Sequence, residues 1–150
     1  MSYGFFEPED GPLAQAGVSD RIDRSGVALA DNIQRLAGVP LSFAPGSAFR
    51  YSLGIDVAGA GIEAATALAL PETIRRLVTE PLGLTTTGFT LTDASRLAIA
   101  YADDTPRPRR MREPDCLPFL SGIAGVIMDP ARLFDSEAYP SGGAGMVGTA

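Results

Sequence analysis

Apolar positions along this chain recur at helical rather than strand intervals. Leu29, Ile33, Leu36 and Ala37 repeat every three or four residues, and Gly38 and Pro40 end the run, which predicts a helix over 29–37. A second helix is predicted over 52–66, with Leu53, Val57, Ala60 and Ala64 on one face. Ile55 and Ile62 fall off that face, so cover on more than one side is expected. Gly54, Gly59 and Gly61 each cost about 1 kcal/mol relative to alanine. Either a neighbour approaches the backbone there, or a glycine-rich chain tolerates them. A third helix is predicted over 71–80. Pro71 suits the first helical position and Glu72 the positive end of the dipole. Ile74, Leu77 and Val78 form its stripe, and Glu80-Pro81 stops it.

The connections are long. Gly4, Pro8, Gly11, Pro12 and Gly17 make the first twenty residues loop-like. Phe43-Ala44-Pro45-Gly46-Ser47 is a tight turn, because proline presets φ and glycine permits φ > 0. Leu91 to Tyr101 reads two ways: a short helix capped by Thr92 or Asp93, or extended chain from Leu97. Asp103 to Pro118 reads as a surface loop, and Asp129 to Phe134 as a capped helical turn. Ser141 to Met146 reads as a glycine-rich loop or the start of another helix. No repeat and no regular strand alternation stands out. The predicted class is mainly α with long irregular loops.

Composition narrows the partners. At 150 residues, with 45% hydrophobic and 20% charged positions, the chain is long and apolar enough for one packed domain. A net charge of −6 argues against a nucleic-acid partner, and the short basic stretch Arg107 to Arg112 reads as a solvated loop. No run approaches the ~18 apolar residues of a membrane span, and the amino terminus does not read as a signal peptide. The single cysteine, Cys116, excludes an internal disulfide and reads as a buried or half-buried thiol.

The sharpest limit is chemical. The chain has no histidine and no lysine; its twelve basic residues are all arginines. Arginine stays protonated and cannot serve as the base beside a nucleophile. No complete Ser-His-Asp or Ser-Lys centre fits within these residues. Neither a metal nor a cofactor is expected: one cysteine and unclustered carboxylates make no ligand set, and the glycine loop lacks phosphate-loop spacing.

Four segments, in order, carry a resemblance. They are Phe43-x-Pro45-Gly46-x-x-Phe49-x-Tyr51-Ser52 running into Ile55-Asp56-Val57-x-Gly59; Glu80-Pro81-Leu82-Gly83-Leu84-x-x-Thr87-Gly88-Phe89; Arg96-Leu97-Ala98-x-x-Tyr101; and Tyr139-Pro140-Ser141-Gly142-Gly143-Ala144-Gly145-Met146. From about Leu29 onward the chain resembles the serine β-lactamase and penicillin-binding-protein superfamily. It is most similar to class C-like β-lactamases and family VIII carboxylesterases.

The resemblance implies a helical domain excised from an α/β serine hydrolase that forms an acyl-enzyme. Of the family's three motifs, only the tyrosine motif is matched, with Tyr51 as the catalytic proton-transfer residue. The S-x-x-K serine and lysine and the third motif would lie outside 1–150, so this chain alone is expected to be inactive. Leu53 stands where β-lactamases carry an asparagine, which points to the esterase branch. Replacing it with asparagine is expected to be mild. Leu53, Ser141, Gly142 and Gly143 are the expected substrate-cleft residues. The implied partner is a small ester or β-lactam, with self-association through surface bared by the missing part. The competing reading is a non-catalytic helical module that binds a small molecule or partner.

Overall fold

The computed structural model describes residues 10–19, 22–23, 26–91, 93–118 and 125–149. Of the described residues, 34% are helical and 9% strand, so the mainly-α expectation holds only loosely. The helices are α1 (Pro12–Gln15), α2 (Leu29–Ala37), α3 (Gly54–Thr66) and α4 (Leu70–Ile74). The first is a single turn in a stretch expected to be loop; Pro12 at its start supplies the preset φ. The expected loop over residues 1–9 lies outside the described residues.

Helix α2 runs over the predicted span. Leu29 and Leu36 are buried as its stripe requires, and Asn32 is buried between them. Helix α3 packs on both α2 and α4. Its C-cap, Ala67, takes a left-handed conformation at φ 54°. The third predicted helix is α4 continued by a wider turn over Arg75–Thr79, with Glu80 N–H donating to the Arg75 carbonyl, five residues back, at 2.9 Å. Pro81 accounts for the widening. It has no N–H to give, and its ring would meet the carbonyl four residues earlier.

Two short strands within Asp103 to Pro118, each paired with a strand outside that span, break the expectation of a bare loop there. Strand β1 (Tyr101–Ala102) pairs antiparallel with β2 (Arg109–Arg110). Strand β3 (Asp115–Leu117) pairs antiparallel with β4 (Val126–Met128), placing Cys116 opposite Ile127. Cys116 is exposed, not the buried or half-buried thiol expected. Strands of two or three residues cannot show an alternation, so side-chain ties hold the region. Arg109 bonds Asp115 through both terminal nitrogens, at 2.9 Å from Nη2, and the Arg112 N–H donates to the same carboxylate at 3.0 Å. Arg109 also pairs with Asp104 at 3.2 Å.

That clamp has a pH signature. The Arg109 guanidinium, aided by the Arg112 N–H, holds the Asp115 carboxyl down at about 2, against an ordinary 3.8. A carboxylate depressed in the folded state contributes stability above its ordinary pKa and loses it as pH falls through the folded value. Amide protection factors in β2 and β3 should therefore fall between about pH 4 and pH 2. Asp115→Asn should exchange fast at every pH. Protection factors in the native chain that stay constant to pH 2 would show that the clamp contributes nothing.

The remaining expectations resolve locally. Leu91 to Tyr101 combines its two readings: one 3-10 turn at Ala94–Arg96, capped by the Asp93 side chain on the Ser95 N–H at 2.8 Å, then extended chain into β1. The turn at Pro45-Gly46 forms, with Gly46 at φ +84° and Ser47 N–H on the Ala44 carbonyl at 3.0 Å. Asp129 caps the helical turn Pro130–Phe134. The Ser141 loop starts no helix among the described residues. It ends in a bridge, Val147 N–H donating to the Gly88 carbonyl at 2.8 Å.

Candidate active site

Tyr51 lies between the Pro45-Gly46 turn and α3, two residues before the Leu53 that caps that helix. It is 55% exposed, so its ring is available to a ligand. Leu53 is not. It is 2% exposed and packs inward. In this chain its side chain belongs to the interior rather than to an exposed wall. Burying leucine contributes roughly 1.5–3 kcal/mol, and a buried amide without a partner adds a further cost. Leu53→Asn should lower stability by about 2 kcal/mol, read by chemical denaturation. An unchanged denaturation midpoint would count against this packing.

The glycine loop docks on the first turns of α3. Ser141 is 1% exposed, and its hydroxyl donates to Asp56 Oδ1 at 2.5 Å. The same oxygen accepts the N–H groups of Gly143 at 3.0 Å and Ala144 at 3.1 Å. Asp56 is fully buried. Gly142 sits so close that a Cβ there would lie 2.5 Å from the Ile55 carbonyl oxygen. Across from it a Cβ on Gly59 would meet Leu70 Cδ2 at 3.1 Å, whereas Gly61 faces open space. Close approach explains Gly59 and not Gly61. Of the four expected cleft residues, then, Gly142 and Gly143 are exposed, while Ser141 and Leu53 are buried.

Behind the loop is a polar interior that the apolar pattern did not signal. Asn32 accepts from the Ser19 N–H at 2.8 Å and donates to the Ser19 carbonyl at 3.1 Å and the Tyr139 hydroxyl at 3.4 Å. Burial, then the negative charge of Asp56, raises the Tyr139 phenol, keeping it a neutral hydrogen-bonding group. Arg132, 6% exposed, donates from Nη2 to the Tyr139 carbonyl at 2.8 Å. Its Nη1 packs where a side chain on Gly145 would stand. The available signals were polar residues at core positions: Asn32 between Leu29 and Leu36, and Asp56 between Ile55 and Val57. A largely apolar cavity of about 450 Å³ lies farther along, between Leu97, Met111, Leu133 and Met146. Tyr51 does not line it.

Tyr51 thus stands exposed just before α3, and Gly142 packs against that helix at Ile55. The beta-lactamase family model matches residues 2–150, and the chain belongs to that family. It is 43% identical to Esterase EstB of Burkholderia gladioli, over all of this chain and 38% of that esterase. Among solved structures it resembles EstCE1, a hydrolase with promiscuous acyltransferase activity, with 42% identity and a TM-score of 0.87. That match covers 96% of this chain and 38% of EstCE1. The D-amino acid amidase of Ochrobactrum anthropi SV3 shares the fold at 18% identity, TM-score 0.52, over 95% of this chain and 45% of the amidase. The chain thus spans 38% of the length of the curated esterase it matches.

Proposed function

We propose that this chain is the helical-domain portion of a serine carboxylesterase, with Tyr51 as its proton-transfer residue. The observation that carries the reading is the exposed Tyr51 just before α3, in a chain 43% identical to an esterase throughout. Leu53 stands where β-lactamases carry an asparagine and offers no polar group to a lactam amide, which supports an ester over a β-lactam.

The chemistry follows from what the residues can do. A serine hydroxyl attacks an ester carbonyl only when a neighbour accepts its proton. Serine and lysine would come from an S-x-x-K segment outside this sequence. Tyr51 would take the proton, directly or in relay with that lysine, and return it to the leaving alkoxide. Water, or an acceptor alcohol, would then release the acyl group from the serine. Gly142 and Gly143 would form a side-chain-free wall that lets the substrate approach backbone. Phe49 at 91% exposure and Leu77 and Leu82 at 68% each offer apolar surface for the remainder of the enzyme, or for self-association in isolation.

The test is hydrolysis of a p-nitrophenyl acyl ester. The full-length protein should turn it over through a covalent acyl-serine detectable by mass spectrometry. The 150-residue chain should show no turnover above background. Turnover by this chain that disappears on changing one of its own residues would overturn the reading.

A further inference from the structure

The loop that walls the candidate cleft is held by a contact that spans most of the chain. Ser141 and Asp56 are 85 positions apart, both almost wholly buried, and joined at 2.5 Å. Asp56 lies five residues after Tyr51, on the first turn of the helix that Tyr51 leads into. The Ser141 oxygen also fixes the N–H groups of Gly143 and Ala144, so one hydroxyl sets both the loop's anchor and its curvature. Gly142 lies flat on the Ile55 carbonyl between them.

We propose that Asp56 and Ser141 are positioning residues, a buried latch that fixes the glycine loop relative to Tyr51. Neither touches substrate, since both are shielded behind Gly142 and Gly143. The carboxylate accepts the only proton that the Ser141 hydroxyl has to give, which leaves the hydroxyl's lone pairs for the two loop amides. Removing either partner frees the loop while leaving Tyr51 and the apolar contacts of α3 in place. The inference rests on the reading of Tyr51 as the proton-transfer residue.

Three variants of the full-length protein test it: Ser141→Ala, Asp56→Ala and Asp56→Asn. Ser141→Ala and Asp56→Ala should lower kcat by roughly 10- to 100-fold, as expected for misplaced groups near a reacting centre, with much smaller changes in KM. Asp56→Asn keeps an acceptor oxygen and should recover most of the kcat lost in Asp56→Ala. Amide exchange at Gly143 and Ala144 should accelerate in Ser141→Ala. If Asp56→Ala does not fold, Ser141→Ala alone decides, because it removes one oxygen and keeps the Cβ. A folded Ser141→Ala with faster exchange but native kcat would overturn the latch. A silent Tyr51→Phe beside an impaired Ser141→Ala would instead sink the tyrosine assignment and leave the latch standing.

Discussion

Tyr51→Phe in the full-length protein is expected to lower kcat by roughly 10²–10⁴-fold, the range typical of losing a positioned acid–base group. Stability should change little. Tyr51 is 55% exposed, so its hydroxyl is not a core group. Phenylalanine keeps the ring and hence the contacts of the segment between the Pro45-Gly46 turn and α3. Two outcomes are therefore separable in a way they are not for a buried residue. A fall in kcat at constant melting temperature assigns the phenol to the reaction. Native kcat would return Tyr51 to a structural role at the mouth of the helix, and the esterase mechanism would need another proton acceptor. Since this chain has no histidine or lysine, that acceptor would be a carboxylate, Cys116 or another tyrosine here, or a residue outside it.

How much of this was legible in the sequence depended on how local the cause was. The α2 boundaries could be read because Leu29, Leu36 and the Gly38 and Pro40 stop lie within a dozen residues. The span of α3 was nearly right, but its inward face was not. Leu53, Asp56 and Gly59 are buried, while Ala64 is exposed and Val57 and Ala60 are half-buried. An apolar-stripe argument assumes that the neighbour is a layer of side chains. Here part of the neighbour is backbone, at Gly142, and the buried acid has its partner 85 residues later. Neither fact leaves a periodic trace. The same limit hid β1 to β4, which are too short to alternate and depend on the Arg109–Asp115 clamp. The position of Tyr51 between the Pro45-Gly46 turn and α3 was legible because its motif is contiguous. The polar interior of Asn32, Tyr139 and Arg132 was not, because polar residues on an apolar face declare themselves only when their partners are known.

Gly142→Ala is expected to cost far more than its one added methyl group suggests. An added Cβ would lie 2.5 Å from the Ile55 carbonyl oxygen and 3.2 Å from its carbon. Those are backbone atoms of α3, held by the helix's own hydrogen bonds, so no side chain can rotate away. The loop must lift instead, which stretches the Ser141–Asp56 bond that anchors it. Overpacking of this kind costs about 3 kcal/mol. For a chain of this length that corresponds to a fall in melting temperature of roughly 6–12 °C. On the proposed esterase reading, the displaced loop should also lower turnover by the full-length protein. Gly61→Ala provides the contrast within the same helix. Its Cβ would meet nothing within 4 Å, and alanine removes the entropic cost of glycine in a helix interior. A gain of about 0.5–1 kcal/mol is expected there. Calorimetry on the two variants side by side decides the matter: if Gly142→Ala melts with the native chain, the loop does not rest on α3 at the distance seen here.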